Sequence, residues 1–194
     1  DGKLFVQIGS GRIQAVDYDT LTCAWTTEAV DSGQTVSPIS YAEIDGEGYI
    51  YTGTWTAESR DGTFFCVSTD DDGVVNGVKE PEWKFVPSGS TKDTDNITYD
   101  PDLNGTLDDE GSVAKRGFYW AGAYATDKYV AVGSDDGTGE NDPTANGVFY
   151  TLNPKTGEII DKISGIQGDI STTVVYDKGH LYFCPKGGLM YKVD

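Results

Sequence analysis

The stretch Leu4–Trp25 reads LFVQIGSGRIQAVDYDTLTCAW and sets a pattern that the rest of the chain repeats. A short apolar run, a glycine turn and a second apolar run lead into a turn that begins at Asp17. Within the runs, apolar residues such as Phe5, Ile13 and Ala15 alternate with polar ones, as in strands that are half-buried between two layers. The stretch therefore predicts antiparallel strands joined by tight turns.

Three later stretches repeat this plan, and they are Tyr49–Trp83, Tyr129–Ile163 and His180–Asp194. Before each of them lies a further predicted strand, in VSPISYAEIDGEGY, FYWAGAYATDKY and STTVVYDKGH. These strands end in turns that carry Asp with Gly or Lys, at Asp45-Gly46, Asp127-Lys128 and Asp177-Lys178-Gly179. With the strand after each Asp-led turn, a unit has four short antiparallel strands, which is the composition of a β-propeller blade.

We expect one all-β domain over residues 1–194, with about four blade units. The units cover roughly residues 1–30, 31–87, 112–163 and 164–194, and residues 88–111 form an acidic insertion. The first unit lacks its leading strand and the fourth lacks its closing strand. The chain is therefore expected to be an incomplete propeller, part of a longer parent chain, and a closed ring of four blades is the alternative.

The composition favours β-sheet, and the net charge excludes some classes of partner. The sequence has 25 Gly, 12 Tyr, 7 Phe and 4 Trp but 1 Met, which favours turns and pleated surfaces over helices. Its net charge is −18. Such a surface repels nucleic acid and anionic lipid headgroups, so neither nucleic acid nor direct membrane insertion is expected. Protein or carbohydrate partners at a surface remain.

The turn after the second strand gives a more specific resemblance. AVDYDTLTCAW resembles the docking motif A-x-D-x-x-T-G-x-x-x-W of pyrroloquinoline-quinone-like (PQQ-like) propeller repeats, through Ala15, Asp17, Thr20 and Trp25. Leu21 replaces the motif's glycine. The third unit resembles it in TLNPKTGEIID, through Asn153, Thr156 and Gly157, but Asp161 stands where the tryptophan belongs; in the second unit Trp83 fills that role. The resemblance implies that these residues stack blades and carry no chemistry.

The same resemblance implies two functional branches. Quinoprotein dehydrogenases of this type hold the quinone and calcium at the ring centre and share a vicinal cysteine pair. Here Cys23, Cys66 and Cys184 lie in separate units, so pyrroloquinoline quinone is not expected. The non-enzymatic branch includes outer-membrane assembly scaffolds and surface propellers of bacteria. The acidic, insertion-rich character of this chain resembles the surface type.

Catalytic patterns find little support in the residues. His180 is the only histidine, so a Ser-His-Asp or Cys-His arrangement would have to use it, and its place at a strand start indicates a structural role. Neither G-x-S-x-G nor a phosphate-binding G-x-x-x-x-G-K-[ST] occurs. A glycosidase pair cannot be selected from 32 acidic residues.

Two segments are candidate sites. DPDLNGTLDDEG, residues 100–111, resembles a calcium loop in which oxygen ligands alternate, although Gly111 stands where a bidentate carboxylate should close the sphere; a solvated acidic loop is the alternative. Its ligands would be Asp100, Asp102, Asn104, Thr106 and Asp108. GFYWAGAY, residues 117–124, is the densest aromatic cluster. Its rings either pack in the core or form a stacking platform for a sugar or peptide, through Phe118, Tyr119, Trp120 and Tyr124.

The sequence therefore favours a non-catalytic propeller module of an extracellular or cell-surface bacterial protein, used for binding, adhesion or scaffolding. A quinone-dependent or hydrolytic propeller enzyme is the first alternative. A structural spacer without a ligand is the second.

Overall fold

The structure is a computed structural model that describes residues 2–55, 62–87, 117–135 and 146–194. In chain order its strands are β1 (Lys3–Ile8), β2 (Arg12–Asp17), β3 (Cys23–Thr27), β4 (Gln34–Thr35), β5 (Ser40–Ile44), β6 (Glu47–Trp55), β7 (Phe64–Ser68), β8 (Val78–Lys79), β9 (Trp83–Phe85), β10 (Tyr124–Ala125), β11 (Val130–Gly133), β12 (Asn146–Leu152), β13 (Ile159–Gln167), β14 (Val175–Asp177), β15 (His180–Phe183) and β16 (Tyr191–Val193). Within these ranges, no helix has the length and hydrophobicity that crossing a bilayer requires.

The strands form sheets that follow the order of the repeated units. Sheet 1 is β1-β2-β3-β8, and sheet 2 is β6-β7-β9 with both β4 and β5 paired to β6. Sheet 3 is β10-β11-β12-β13, and sheet 4 is β14-β15-β16. Neighbouring strands pair antiparallel, as in the register Leu4↔Val16 of sheet 1 and Val130↔Leu152 of sheet 3, with the pair β3–β8 as the exception.

Alternating side chains fill the space between successive sheets. Sheets 1 and 2 meet through Ile13, Ala15, Trp25, Ile50, Phe65 and Val67. Sheets 2 and 3 meet through Tyr51, Phe64, Cys66, Trp83, Val130, Val132, Tyr150 and Leu152. Sheets 3 and 4 meet through Ala131, Phe149, Ile166, Ile170, Leu181 and Phe183. In β11, Val130 and Val132 therefore face sheet 2 while Ala131 faces sheet 4, as a two-residue period requires.

The prediction of an all-β chain is confirmed, and over the described residues the sheets do not close into a ring, as expected of an incomplete propeller. One predicted strand is much shorter than expected. FYWAGAYATDKY contributes only β10, because residues 117–123 form an irregular loop in which Trp120 has a φ of 58°. A positive φ interrupts the extended backbone that a strand needs.

The sequence did not predict β8, which leaves its own unit and pairs in parallel with β3 of sheet 1, in the register Thr26↔Val78 and Thr27↔Lys79. Lys79 is 2% exposed, and its Nζ donates hydrogen bonds to the Asp70 carbonyl at 2.8 Å and to Asp70 Oδ1 at 2.7 Å. The ammonium also lies 5.3 Å from the ring centroid of Trp25. A buried cation needs such partners, and these contacts hold the segment that carries β8 against both sheet 1 and sheet 2.

Candidate binding surface

The Asp-led turn of sheet 1 is held by one carboxylate. Asp17 Oδ1 accepts hydrogen bonds from the N–H of Asp19 at 3.1 Å, from the N–H of Thr20 at 2.7 Å and from the Thr20 hydroxyl at 2.7 Å. The bonds from the Thr20 hydroxyl and N–H hold the pKa of Asp17 below its ordinary value. Leu21 closes the turn in the left-handed region, with a φ of 55°. A branched side chain is unfavourable there.

Sheet 3 has the same turn with different residues. Asn153 Oδ1 accepts hydrogen bonds from the N–H of Lys155 at 2.9 Å and from the N–H of Thr156 at 3.2 Å. Gly157, with a φ of 71°, donates its N–H to the Asn153 carbonyl at 2.9 Å, just as Leu21 does to Asp17. The two turns therefore share a geometry in which glycine and leucine occupy one position.

One tryptophan joins sheet 1 to sheet 2, and another joins sheet 2 to sheet 3. Trp25 of sheet 1 is 1% exposed and donates its Nε1–H to Asp71 Oδ1 of sheet 2 at 3.0 Å. Trp83 of sheet 2 donates its Nε1–H to the Pro154 carbonyl of sheet 3 at 2.9 Å. A Cβ on Gly157 would lie 2.5 Å from the Trp83 ring, so glycine is also needed for packing. Each indole thus rests on a turn of the following sheet.

The contact between sheets 3 and 4 has no indole. Asp161 of β13 lies opposite Thr151, the position that Trp25 holds opposite Ala15 in sheet 1, and it is exposed. Stacked rings join these sheets instead. The pairs that join them are Phe149–Phe183 at 4.2 Å and Tyr124–Tyr176 at 5.3 Å between centroids, and within sheet 4 Phe183 also stacks on Tyr191 at 5.2 Å.

The predicted aromatic cluster divides into three parts. Phe118 is fully buried and lies 5.2 Å from Phe64 in the core between sheets 2 and 3, so it has no surface to offer a ligand. Tyr124 stacks on Tyr176, away from the rest of the cluster. Tyr119 and Trp120 reach the surface together. The structure therefore brings only two of the four predicted residues into one place.

Those two residues join Trp55 in an aromatic platform, which we define as Trp55, Tyr119 and Trp120. The ring of Tyr119 lies 4.8 Å from Trp55 and 4.0 Å from Trp120, centroid to centroid. Trp120 is 49% exposed. Sequence reasoning missed Trp55, which ends the long strand β6, because only the fold brings that strand end beside residues 117–120. Three adjoining aromatic rings at the surface suit a ligand that packs on ring faces.

A buried carboxylate holds the platform loop in place. Asp135, 5% exposed, accepts a hydrogen bond from the N–H of Gly117 at 2.8 Å through Oδ1 and one from the N–H of Tyr119 at 3.2 Å through Oδ2. The Phe118 N–H donates to the Thr54 carbonyl at 2.9 Å, and the Ser37 hydroxyl donates to the Phe118 carbonyl. Sheets 2 and 3 therefore both fix the backbone of the loop before any ligand arrives.

Trp120 is strained within this loop. Its φ of 58° lies in the left-handed region, where a bulky residue is an outlier. Strain of this kind, about 1–3 kcal/mol, persists only where the surroundings impose it, and it is frequent at ligand sites. The bonds to Asp135 and Thr54 supply that constraint.

His180, the three cysteines and the predicted calcium ligands do not belong to the aromatic platform. His180 Nδ1 lies 2.6 Å from Asp194 Oδ1 at the start of β15. All three cysteines are free thiols, and burial raises the pKa of the Cys66 thiol, which makes it a poor nucleophile. The predicted calcium ligands lie in a segment that the structure does not describe. Among the residues that it does describe, no group of three His, Cys, Asp or Glu side chains is placed to hold a metal ion.

Comparison with known proteins shows the fold. No protein-family model and no curated protein sequence matches this chain. Among solved structures it is similar to quinohemoprotein alcohol dehydrogenase ADHIIG from Pseudomonas putida HK5, with a TM-score of 0.65 and 18% identity over 100% of this chain and 31% of that one. It is also similar to BamB from Moraxella catarrhalis, with a TM-score of 0.55 and 15% identity over 98% of this chain and 46% of that one.

A third similar structure is the β-propeller domain of Cps50 (Swd1) from Myceliophteria thermophila, with a TM-score of 0.51 and 15% identity over 96% of this chain and 48% of that one. The chain therefore spans less than half the length of these structures. At such low identity the likeness concerns the fold alone. The sheets, their order and these neighbours together show that the chain has a PQQ-like β-propeller fold, in which the sheets of the described residues do not close into a ring.

Proposed function

We propose that this chain is a non-catalytic binding module of an exported bacterial cell-surface protein, and that its aromatic platform recognises carbohydrate. The observation that supports this is the surface cluster of Trp55, Tyr119 and Trp120, in which the rings adjoin and Trp120 is half-exposed. The ring faces of sugars carry C–H groups that pack on aromatic rings, and a ligand site needs only a few polar groups beside such a surface.

The charge of the chain restricts which carbohydrates would bind. A net charge of −18 repels uronic acids, sulfated glycans and teichoic-type phosphates. Neutral glycans and glycans with free amino groups are therefore the expected ligands. Because Asp135 already orders the loop, binding would cost little conformational entropy.

A glycan array of neutral, amino-substituted and acidic oligosaccharides tests the proposal, followed by calorimetry on the sugars that bind. Trp120→Ala should weaken binding at least about tenfold, equivalent to about 1.4 kcal/mol. Tyr18→Ala is the matched control, because Tyr18 is also an exposed aromatic, 62% accessible, but lies in the turn of sheet 1. Binding that survives Trp120→Ala, or an array without any bound glycan, contradicts the proposal.

A peptide array run in parallel distinguishes a protein-binding platform from a carbohydrate-binding one. Peptide binding that is lost in Trp120→Ala would replace carbohydrate by protein as the partner. A chain that binds on neither array would be a spacer. Turnover in a dye-reduction assay with added pyrroloquinoline quinone and calcium would indicate the enzymatic branch instead. Fractionation of producing cells tests export.

Calcium binding by residues 100–111 is a separate proposal that rests on the sequence. Titration with Ca²⁺ by calorimetry should give heat that Asp100→Ala abolishes, because position 1 of such a loop supplies a direct ligand. Asp72→Ala, a change of the same charge in another acidic turn, should leave the heat unchanged. An absence of heat with the unmodified chain would identify the segment as a solvated acidic loop.

A further inference from the structure

A cleft lies between sheets 3 and 4, which we name the sheet 3–4 cleft. It has a volume of about 590 Å³. Its apolar lining is Tyr129, Phe149, Ile160, Ile163, Tyr176, Leu181 and Val193. The volume falls within the range of about 300–1,000 Å³ that is usual for small-molecule sites. None of these residues belongs to the aromatic platform.

The cleft opens where the repeat would place an indole. In sheet 1 the residue opposite Ala15 is Trp25, whose ring is buried against sheet 2. In sheet 3 the residue opposite Thr151 is Asp161, and both Thr151 and Asp161 line the cleft. Asp161 is exposed, and its Oδ1 accepts a hydrogen bond from the N–H of Lys162 at 2.8 Å, so the carboxylate does not fill the space of a docked ring.

The lining is suited to a flat ring. The stacked pair Phe149–Phe183, with an interplanar angle of 10°, extends the aromatic wall behind the cleft. Sheet 3 also contributes Tyr129, and sheet 4 contributes Tyr176. Burial and the neighbouring tyrosines Tyr124 and Tyr176 raise the pKa of the Tyr129 phenol. Apolar walls with aromatic rings on both sides accept a planar ligand between them.

Charge selects among planar ligands. Asp161 and Asp194 lie at the cleft with Lys128 and Lys162, so the lining itself is balanced. The chain as a whole carries −18, and a field of that sign raises the local concentration of cations and lowers that of anions.

From the replacement of the indole by Asp161, the apolar lining and the charge, we propose that the sheet 3–4 cleft binds a small planar aromatic amine of about the size of an indole. The cleft is independent of the carbohydrate platform, so either proposal can fail without the other.

Calorimetry and NMR with tryptamine, indole and indole-3-acetate test this proposal. Tryptamine should bind most tightly and indole-3-acetate least, and tryptamine should shift the backbone amide signals of Thr151 and Ile163. Asp161→Trp should abolish binding, because the new indole occupies the cleft from within the chain, and it should raise the Tm. Lys84→Trp, which adds an indole at an exposed position of β9, is the matched control and should bind tryptamine normally.

Two further variants keep the outcome decisive. Tyr129→Ala removes one wall and should weaken tryptamine binding at least about tenfold, which remains measurable if Asp161→Trp fails to fold. Trp120→Ala should leave tryptamine binding unchanged, because the platform lies elsewhere. Absence of tryptamine binding at millimolar concentration, or equal affinity in Asp161→Trp and the unmodified chain, overturns the proposal. Binding confined to a tryptophan-containing peptide would overturn it too, and would show a protein-docking groove instead.

Discussion

Sheet 3 packs on sheet 2 and on sheet 4 through two different kinds of contact. Between sheets 2 and 3, the Trp83 indole covers Gly157 and donates its N–H to the Pro154 carbonyl. Between sheets 3 and 4, rings such as Phe149 and Phe183 stack and no indole is present. The first contact combines apolar burial with a directed hydrogen bond, whereas the second depends on ring packing and leaves a cleft.

The largest effect is expected when the Trp83 indole is removed. Trp83→Ala should lower the free energy of unfolding by about 3–5 kcal/mol, because a buried ring is lost and a cavity remains. Trp83→Phe keeps a ring but loses the donor, and should cost about 1 kcal/mol. Urea unfolding measures both. Ile160→Ala, at a residue of β13 that is 56% exposed, is the control, with a change within about 0.5 kcal/mol. A Trp83→Ala cost near that of Ile160→Ala would show that the indole contact does not stabilise the chain.

The second-largest effect on the free energy of unfolding is expected at Gly157, which lies beneath the Trp83 ring. Gly157→Ala should lower the free energy of unfolding by about 2 kcal/mol, because alanine is strained at positive φ and its Cβ would collide with the indole. Gly179→Ala is the matched control: it has a φ of 91° but open space where the alanine Cβ would lie, so it tests backbone strain alone. Equal losses in the two variants would mean that contact with Trp83 contributes nothing.

Leu21 holds, in the turn of sheet 1, the position that Gly157 holds in the turn of sheet 3. A substitution at Leu21 should raise the free energy of unfolding instead of lowering it. Leu21→Gly should raise the free energy of unfolding by about 0.5–1 kcal/mol, because glycine relieves the left-handed strain and the exposed leucine loses little packing. Leu189→Gly replaces another exposed leucine and should give no such gain. A loss of stability in Leu21→Gly would show that the leucine side chain makes a contact that outweighs its strain.

The smallest effect concerns pH. The pKa of Asp17 is depressed in the folded chain, so its contribution is present above the unfolded value of about 3.9 and disappears as pH falls through the folded value. Asn153 makes the equivalent turn bonds without titrating. Asp17→Asn should therefore reduce the loss of Tm between pH 6 and about pH 3. Asp19→Asn changes the same charge two residues away, and an equal reduction there would contradict the assignment to Asp17.

Local patterns in the sequence were enough to predict most of the fold. The alternation around Ile13 and Ala15 and the Asp-led turns at Asp17 and Asn153 depend on residues only a few positions apart, so the sequence alone predicted sheets in series. The strand predicted within FYWAGAYATDKY is reduced to β10 because Asp135, outside that stretch, holds residues 117–119 in a loop.

The candidate site was harder to predict for the same reason. Alternation could not decide which rings of the cluster are buried, since the loop around Phe118 and Trp120 does not follow strand geometry. Trp55 joins the platform through the packing of sheet 2, which no spacing in the sequence indicates. β8 is too short to show a periodicity, and its partner belongs to another sheet.

The pairing of β8 with sheet 1 also affects the order in which the chain folds. Sheet 1 receives its last strand from a segment that follows β7, so its edge stays unpaired until much of the second unit has been synthesised. The first two units can therefore be protected together from proteases and hydrogen exchange only after Lys79 has left the ribosome. Native-state exchange should accordingly find those two units opening as one cooperative block.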